Sequence, residues 1–163
     1  MMTFDRRSFL AASALSAGIA MLPRASLVAA PFAQRQGPGV YRTKLGELEV
    51  TALYDGIWYL PIDGKFIRNA SGTQVNKALT DAFLPPNILP ITITALMINT
   101  GSKLVLIDTG SAGQIVDTAG SMNDNLAAAG VKPADIDIIL ISHFHPDHID
   151  GIKTKDGDKV FPN

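Results

Sequence analysis

An α+β fold, with one sheet covered on one side by helices, is predicted by three features of the sequence taken together. Two pairs of strand-like segments are each folded about a glycine turn, a stretch with helical spacing lies between them, and an apolar run leads straight into a histidine cluster. Strands followed by strand–helix–strand give a sheet with helices packed on a face. Residues just past a strand end sit where a rigid scaffold holds a functional loop.

Gln36-Gly37-Pro38-Gly39 reads as a linker. Val40 to Leu45 and Leu48 to Tyr54 alternate in polarity about Gly46-Glu47, which predicts a hairpin whose second strand is closed by Asp55-Gly56. Leu60 to Gly72 reads as loop. Thr73 to Phe83 places Val75, Ala78, Leu79, Ala82 and Phe83 at helical spacing before Pro85-Pro86 stops the helix. Ile91 to Asn99 and Lys103 to Ile107 predict a second hairpin about Thr100-Gly101-Ser102. The unbroken apolar run Leu104 to Ile107 is expected of a strand buried on both faces. Ser121-Met122-Asn123-Asp124 resembles a capping box, opening a short helix that ends before Gly130. Pro133 then breaks the chain, and Ile136 to Ser142 predicts a second buried strand. No internal repeat is present.

The 163 residues suffice for one domain, and 47% hydrophobic with 18% charged residues suits a globular protein. A net charge of −1 gives no electrostatic case for nucleic acid or an anionic membrane. Cysteine is absent, which excludes disulfides, thiolate ligands and a cysteine nucleophile. Any metal must therefore be held by nitrogen and oxygen. Residues 1–33 read as an export signal. Arg6-Arg7-Ser8-Phe9-Leu10 precedes a short apolar run from Ala11 to Leu22, with small residues around Ala29, Ala30 and Ala33. The paired arginines resemble the twin-arginine type, so the expected location is periplasmic or secreted. An ordinary secretory signal or a retained anchor helix is the alternative. The folded domain is then expected over 34–163.

All three histidines fall within His143-Phe144-His145-Pro146-Asp147-His148. Imidazole and carboxylate are the zinc ligands expected without thiolates. His143 and His145, two apart in an extended loop, can point their rings to one side. Asp147 and His148 follow the turn at Pro146 and can face a second position, so one loop can offer two ligands to each of two metals. A single structural zinc closed by four ligands is the plainer alternative.

This H-x-H-x-D-H pattern after an apolar strand resembles the metallo-β-lactamase superfamily, an αββα sandwich. The segments Tyr41 to Leu53, Asn99 to Gly110 and Phe161-Pro162-Asn163 resemble methyl parathion hydrolase-like metallohydrolases in type and order. The resemblance implies that His143 and His145 bind one divalent metal and Asp147 and His148 another, both zinc-type ions. It also implies that Asp108 supports the metal-binding loop without binding metal itself. The implied activity is hydrolysis of a small ester-type substrate, namely a phosphotriester, lactone or aryl ester, by a metal-activated hydroxide. Asp150 stands where glycine is commoner in the family.

Leu104-Val105-Leu106-Ile107-Asp108-Thr109-Gly110 also resembles an aspartic-protease signature, which would require a homodimer to pair two copies of Asp108. Iron redox relatives of the superfamily are a further, weaker alternative. No histidine follows His148, although the family takes more ligands from the second half of its fold. The expectation is therefore an amino-terminal half of the sandwich, inactive alone and part of a longer hydrolase. The rival is a non-catalytic metal-binding fragment or a partner-dependent half. Half a sandwich leaves an apolar sheet face uncovered, which predicts poor solubility or homo-oligomers.

Overall fold

The computed structural model describes residues 32–33 and 36–163. The chain divides into two units, Met1–Gln36 and Gly37–Asn163, and the elements below belong to the second. The export-signal reading of residues 1–33 lies, apart from 32 and 33, outside the described residues.

Strand β1 (Val40–Leu45) and strand β2 (Leu48–Pro61) form the expected hairpin, with Leu45 opposite Leu48. β2 does not stop at Asp55-Gly56. It runs on to Pro61 because a bulge between Tyr54 and Gly56 absorbs the irregularity while pairing continues. Gly56 is required there, since a Cβ would come within 2.7 Å of the Ala119 methyl carbon. Strand β3 (Ile88–Asn99) pairs antiparallel with β2 along its length, starting three residues before the expected Ile91. Pro90 is tolerated because strand β4 (Leu104–Ile107) pairs only with Leu96–Asn99, leaving the early half of β3 an open edge. Strand β5 (Ile138–Leu140) lies parallel to β4 and completes the order β1-β2-β3-β4-β5.

Helix α1 (Gly72–Asp81) begins with a reciprocal cap between Ser71 and Gln74. It ends before Phe83, which was expected on its apolar face. Phe83 instead has φ 59° and is 98% exposed, so only Val75 and Leu79 are buried. Helix α2 (Met122–Ala128) starts at Ser121 as expected, but the serine hydroxyl makes no capping bond. The buried carboxylate of Asp55 does that work from another strand, accepting from the Met122 amide at 3.0 Å.

Leu53, Met97, Leu106, Met122, Leu126 and Phe161 form the core between one sheet face and α2. The other face carries Leu96, Ile107 and Leu140 in one cross-strand row and Ile98, Val105 and Ile138 in the next. It is open to solvent. Ile138 and Leu140 are 44% and 52% exposed, so the carboxyl-terminal strand is not buried on both faces as its apolar run suggested. In β4 likewise only Leu106 is buried. Both strands are apolar on two faces, while the described residues cover one. No helix among the described residues is long and apolar enough to cross a membrane.

Candidate metal centre

β4 and β5 run side by side in the same direction, so the residues that follow them emerge at the same edge. The Asp108 amide donates to the Leu140 carbonyl at 2.8 Å and fixes the two exits together. Asp108 takes φ 62°, a left-handed conformation that aspartate tolerates better than most side chains. Its carboxylate turns toward the second exit. Oδ1 accepts the Ser142 amide at 2.8 Å. Oδ2 accepts the Ser142 hydroxyl and lies against His148 Nδ1, each at 2.8 Å.

Burial pushes the Asp108 carboxyl pKa up. Hydrogen bonds from His148 and from the Ser142 amide and hydroxyl, with the attraction of His148, outweigh burial and hold it below the ordinary carboxylate value. An ionised Asp108 can only accept, so His148 presents Nδ1–H to it. In the neutral ring that leaves the Nε2 lone pair free, an assignment that follows from the partners. His148 Nε2 faces Asp147 Oδ2 at 3.3 Å.

The same reasoning extends to His143. The Ser142 hydroxyl proton is committed to Asp108, so its oxygen accepts from His143 Nδ1 at 3.1 Å, which in the neutral ring leaves the His143 Nε2 lone pair free. That nitrogen faces His145 Nδ1 at 3.0 Å, with the two rings edge-on at 81°. His145 is held extended because Pro146 follows it and opens a one-turn helix, α3 (Pro146–Ile149). The turn brings His148 back so that its ring lies 3.9 Å, centroid to centroid, from that of His143.

The donors thus form two pairs, His143 with His145 and Asp147 with His148. Among the described residues no three or more His, Asp or Glu side chains converge as one metal-binding group. Two nitrogens on one tetrahedral zinc, each about 2.0–2.1 Å from it, stand about 3.3 Å apart. The observed pair separations of 3.0 and 3.3 Å are close to that spacing. The donor set, nitrogen and carboxylate oxygen without thiolate, also suits zinc.

The loop is seated on the Asp108–Ser111 turn. The Thr109 amide and hydroxyl donate to the His148 carbonyl at 2.9 and 3.1 Å, and the Gly151 amide donates to the Gly110 carbonyl at 3.0 Å. Ser142, Thr109 and Gly151 escaped the sequence reading, since no spacing marks them. Asp108 stands 8% exposed with both oxygens engaged by Ser142 and His148 of its own chain, a place that suits support of the histidine loop better than the aspartic-protease reading.

A family model for the Metallo-beta-lactamase superfamily matches residues 89–154, which include Asp108 and the whole histidine loop. Among solved structures, AbOPH, a hydrolase in the β-lactamase superfamily, is 35% identical with a TM-score of 0.71 over 79% of this chain. The chain has the metallo-β-lactamase fold. AidC, a dizinc quorum-quenching lactonase solved with the product N-hexanoyl-L-homoserine, is 34% identical with a TM-score of 0.72 over 77% of this chain. A probable metal-dependent hydrolase from Staphylococcus aureus, 22% identical with a TM-score of 0.61, shares the fold. The chain spans 44%, 42% and 46% of these three proteins, less than half of each.

Proposed function

We propose that this chain is the metal-binding part of a dinuclear metallohydrolase acting on ester-type substrates, with His143 and His145 at one zinc-type ion and Asp147 and His148 at the other. The observation that carries the proposal is the pairing itself: two donor pairs, each spaced for one ion, with His148 oriented by Asp108. Bound there, divalent ions would supply an acidified water and Lewis acidity toward a phosphoryl or carbonyl oxygen. The protein's own part is orientation. Asp108 and Ser142 hold protons on Nδ1 of His148 and His143, which keeps both Nε2 atoms available.

AbOPH is a hydrolase and AidC a lactonase, so phosphotriesters, lactones and aryl esters are the substrate classes proposed. The likeness to methyl parathion hydrolases belongs to this proposal. Turnover is assigned to a protein of the neighbours' length, and this chain alone is expected to bind metal without turnover. The test is hydrolysis of paraoxon-like triesters, lactones and β-lactams by the full-length protein with and without chelator. Activity on a triester or lactone that chelator abolishes and zinc restores is expected. Chelator-insensitive activity refutes the metal role.

A further inference from the structure

We propose that Asp55 is a positioning residue for the histidine loop, acting through the Asp108–Ser111 turn. The inference rests on the metal-centre reading above. Asp55 lies in the middle of β2 with 0% exposure, and its carboxylate accepts three bonds. Oδ2 takes the Ser111 amide at 2.9 Å and the Ser111 hydroxyl at 2.6 Å, while Oδ1 takes the Met122 amide at 3.0 Å. A buried carboxylate is costly, and apolar residues often serve stability as well. The structure assigns this one a place under the turn. Gly110 rests directly on the carboxylate, where a Cβ would fall 2.8 Å from Asp55 Cγ.

The turn that Asp55 grips at Ser111 is the one that seats the loop. Its other residues each engage the histidine segment: Gly110 accepts from Gly151, Thr109 donates to the His148 carbonyl, and Asp108 meets His148 Nδ1. The turn also carries left-handed backbone at a residue other than glycine, φ 62° at Asp108, with 48° at Ala112 just beyond. Such angles persist only where the surroundings over-determine them. Asp55 supplies that constraint through its bonds to Ser111 and the close approach of Gly110. Without it, the turn relaxes and the Asp108 oxygen leaves Nδ1.

The experiment reads the proton position on His148 in this chain without metal. Long-range proton–nitrogen spectra of the imidazoles, taken at a pH of roughly 8 where rings are ordinarily neutral, show which nitrogen is protonated. The wild type is expected to hold the proton on Nδ1. Asp55→Asn keeps the shape but presents an amide N–H to donors, and is expected to lose that signature. Its zinc affinity is expected to fall about tenfold, the lower end for lost support of a ligand. Ser111→Ala removes the hydroxyl that donates to Asp55 and accepts the Gly113 amide at 3.3 Å but keeps the Ser111 amide bond, so it folds more readily than Asp55→Asn and is expected to move the His148 signals less in the same direction. Leu126→Ala, a core truncation within α2, provides a destabilised control with unchanged His148 signals. Wild-type signals in both Asp55→Asn and Ser111→Ala, or the same change in Leu126→Ala, overturn the proposal. Failure of the wild-type chain to bind zinc instead sinks the metal-centre reading, while the tautomer comparison still decides the role of Asp55.

Discussion

Replacing Gly151 by alanine adds one methyl group where the segment after the histidine loop crosses the Asp108–Ser111 turn. The new Cβ would stand 2.7 Å from the Thr109 carbonyl carbon and 3.1 Å from its Cβ. Ordinary carbon contacts are about 3.5–4.0 Å, so the two segments must separate by about 1 Å. The nearest atoms are backbone, and no rotamer change relieves them. Separation breaks the Gly151 amide bond to Gly110 and stretches the Thr109 bond to the His148 carbonyl. Overpacking and two weakened bonds together cost about 3–5 kcal/mol. Gly151 lies outside the positive-φ residues. At such a site the same substitution would otherwise stabilise by about 0.4–1 kcal/mol through the unfolded chain. The two arguments therefore differ in sign. Urea denaturation followed by circular dichroism decides between them, with a midpoint lower by about 1 M or more expected. A midpoint equal to or above the wild type would refute the steric reasoning.

Asp108→Asn removes the charged acceptor that orients His148, and zinc affinity measured by competition with a chromophoric chelator is expected to fall about 10–100-fold; unchanged affinity counts against the orienting role. Asp137 is held below its ordinary value of 3.8 by the Lys103 ammonium and by the Leu104 amide. Its contribution to stability is thus full above that value and lost as pH falls through the folded-state pKa. Asp137→Asn should lower Tm at neutral pH and match the wild type near about pH 2; an equal deficit at both would contradict the linkage. Leu126→Ala, at 0% exposure, should cost about 2–5 kcal/mol in the same urea assay. Leu140→Lys should raise the solubility of this chain with a stability change within about 0.5 kcal/mol, and a large loss would mean that the open face is packed after all.

Much of the fold was legible because local rules acted alone. The Gly46 and Gly101 turns depend on neighbours in sequence, and each lies where its pattern indicated. The errors arose where distant groups took over. Asp55 looked like the end of a strand because Asp-Gly favours turns, yet its carboxylate is committed to residues 56 and 67 positions away. Phe83 fitted the helical period but lies beyond the helix, where the backbone reverses at φ 59°. Apolar runs in β4 and β5 report two faces that can be buried, not whether this chain buries them. The histidine loop was readable since its donors are adjacent. The Asp108–Ser142 lock beneath it joins residues 34 apart and has no local signature beyond the aspartate itself.

That adjacency bears on how metal and folding are linked. The donors assigned to metal lie within a six-residue segment, His143 to His148, so an unfolded chain already carries them as neighbours. Metal stabilises a fold only by the difference between its affinities for the folded and unfolded chains. In this segment the difference comes from the orienting groups, Asp108 and Ser142, more than from the ligands. Saturating zinc should therefore raise the melting temperature of this chain only modestly, and most of that rise should vanish in Asp108→Asn even where zinc still binds.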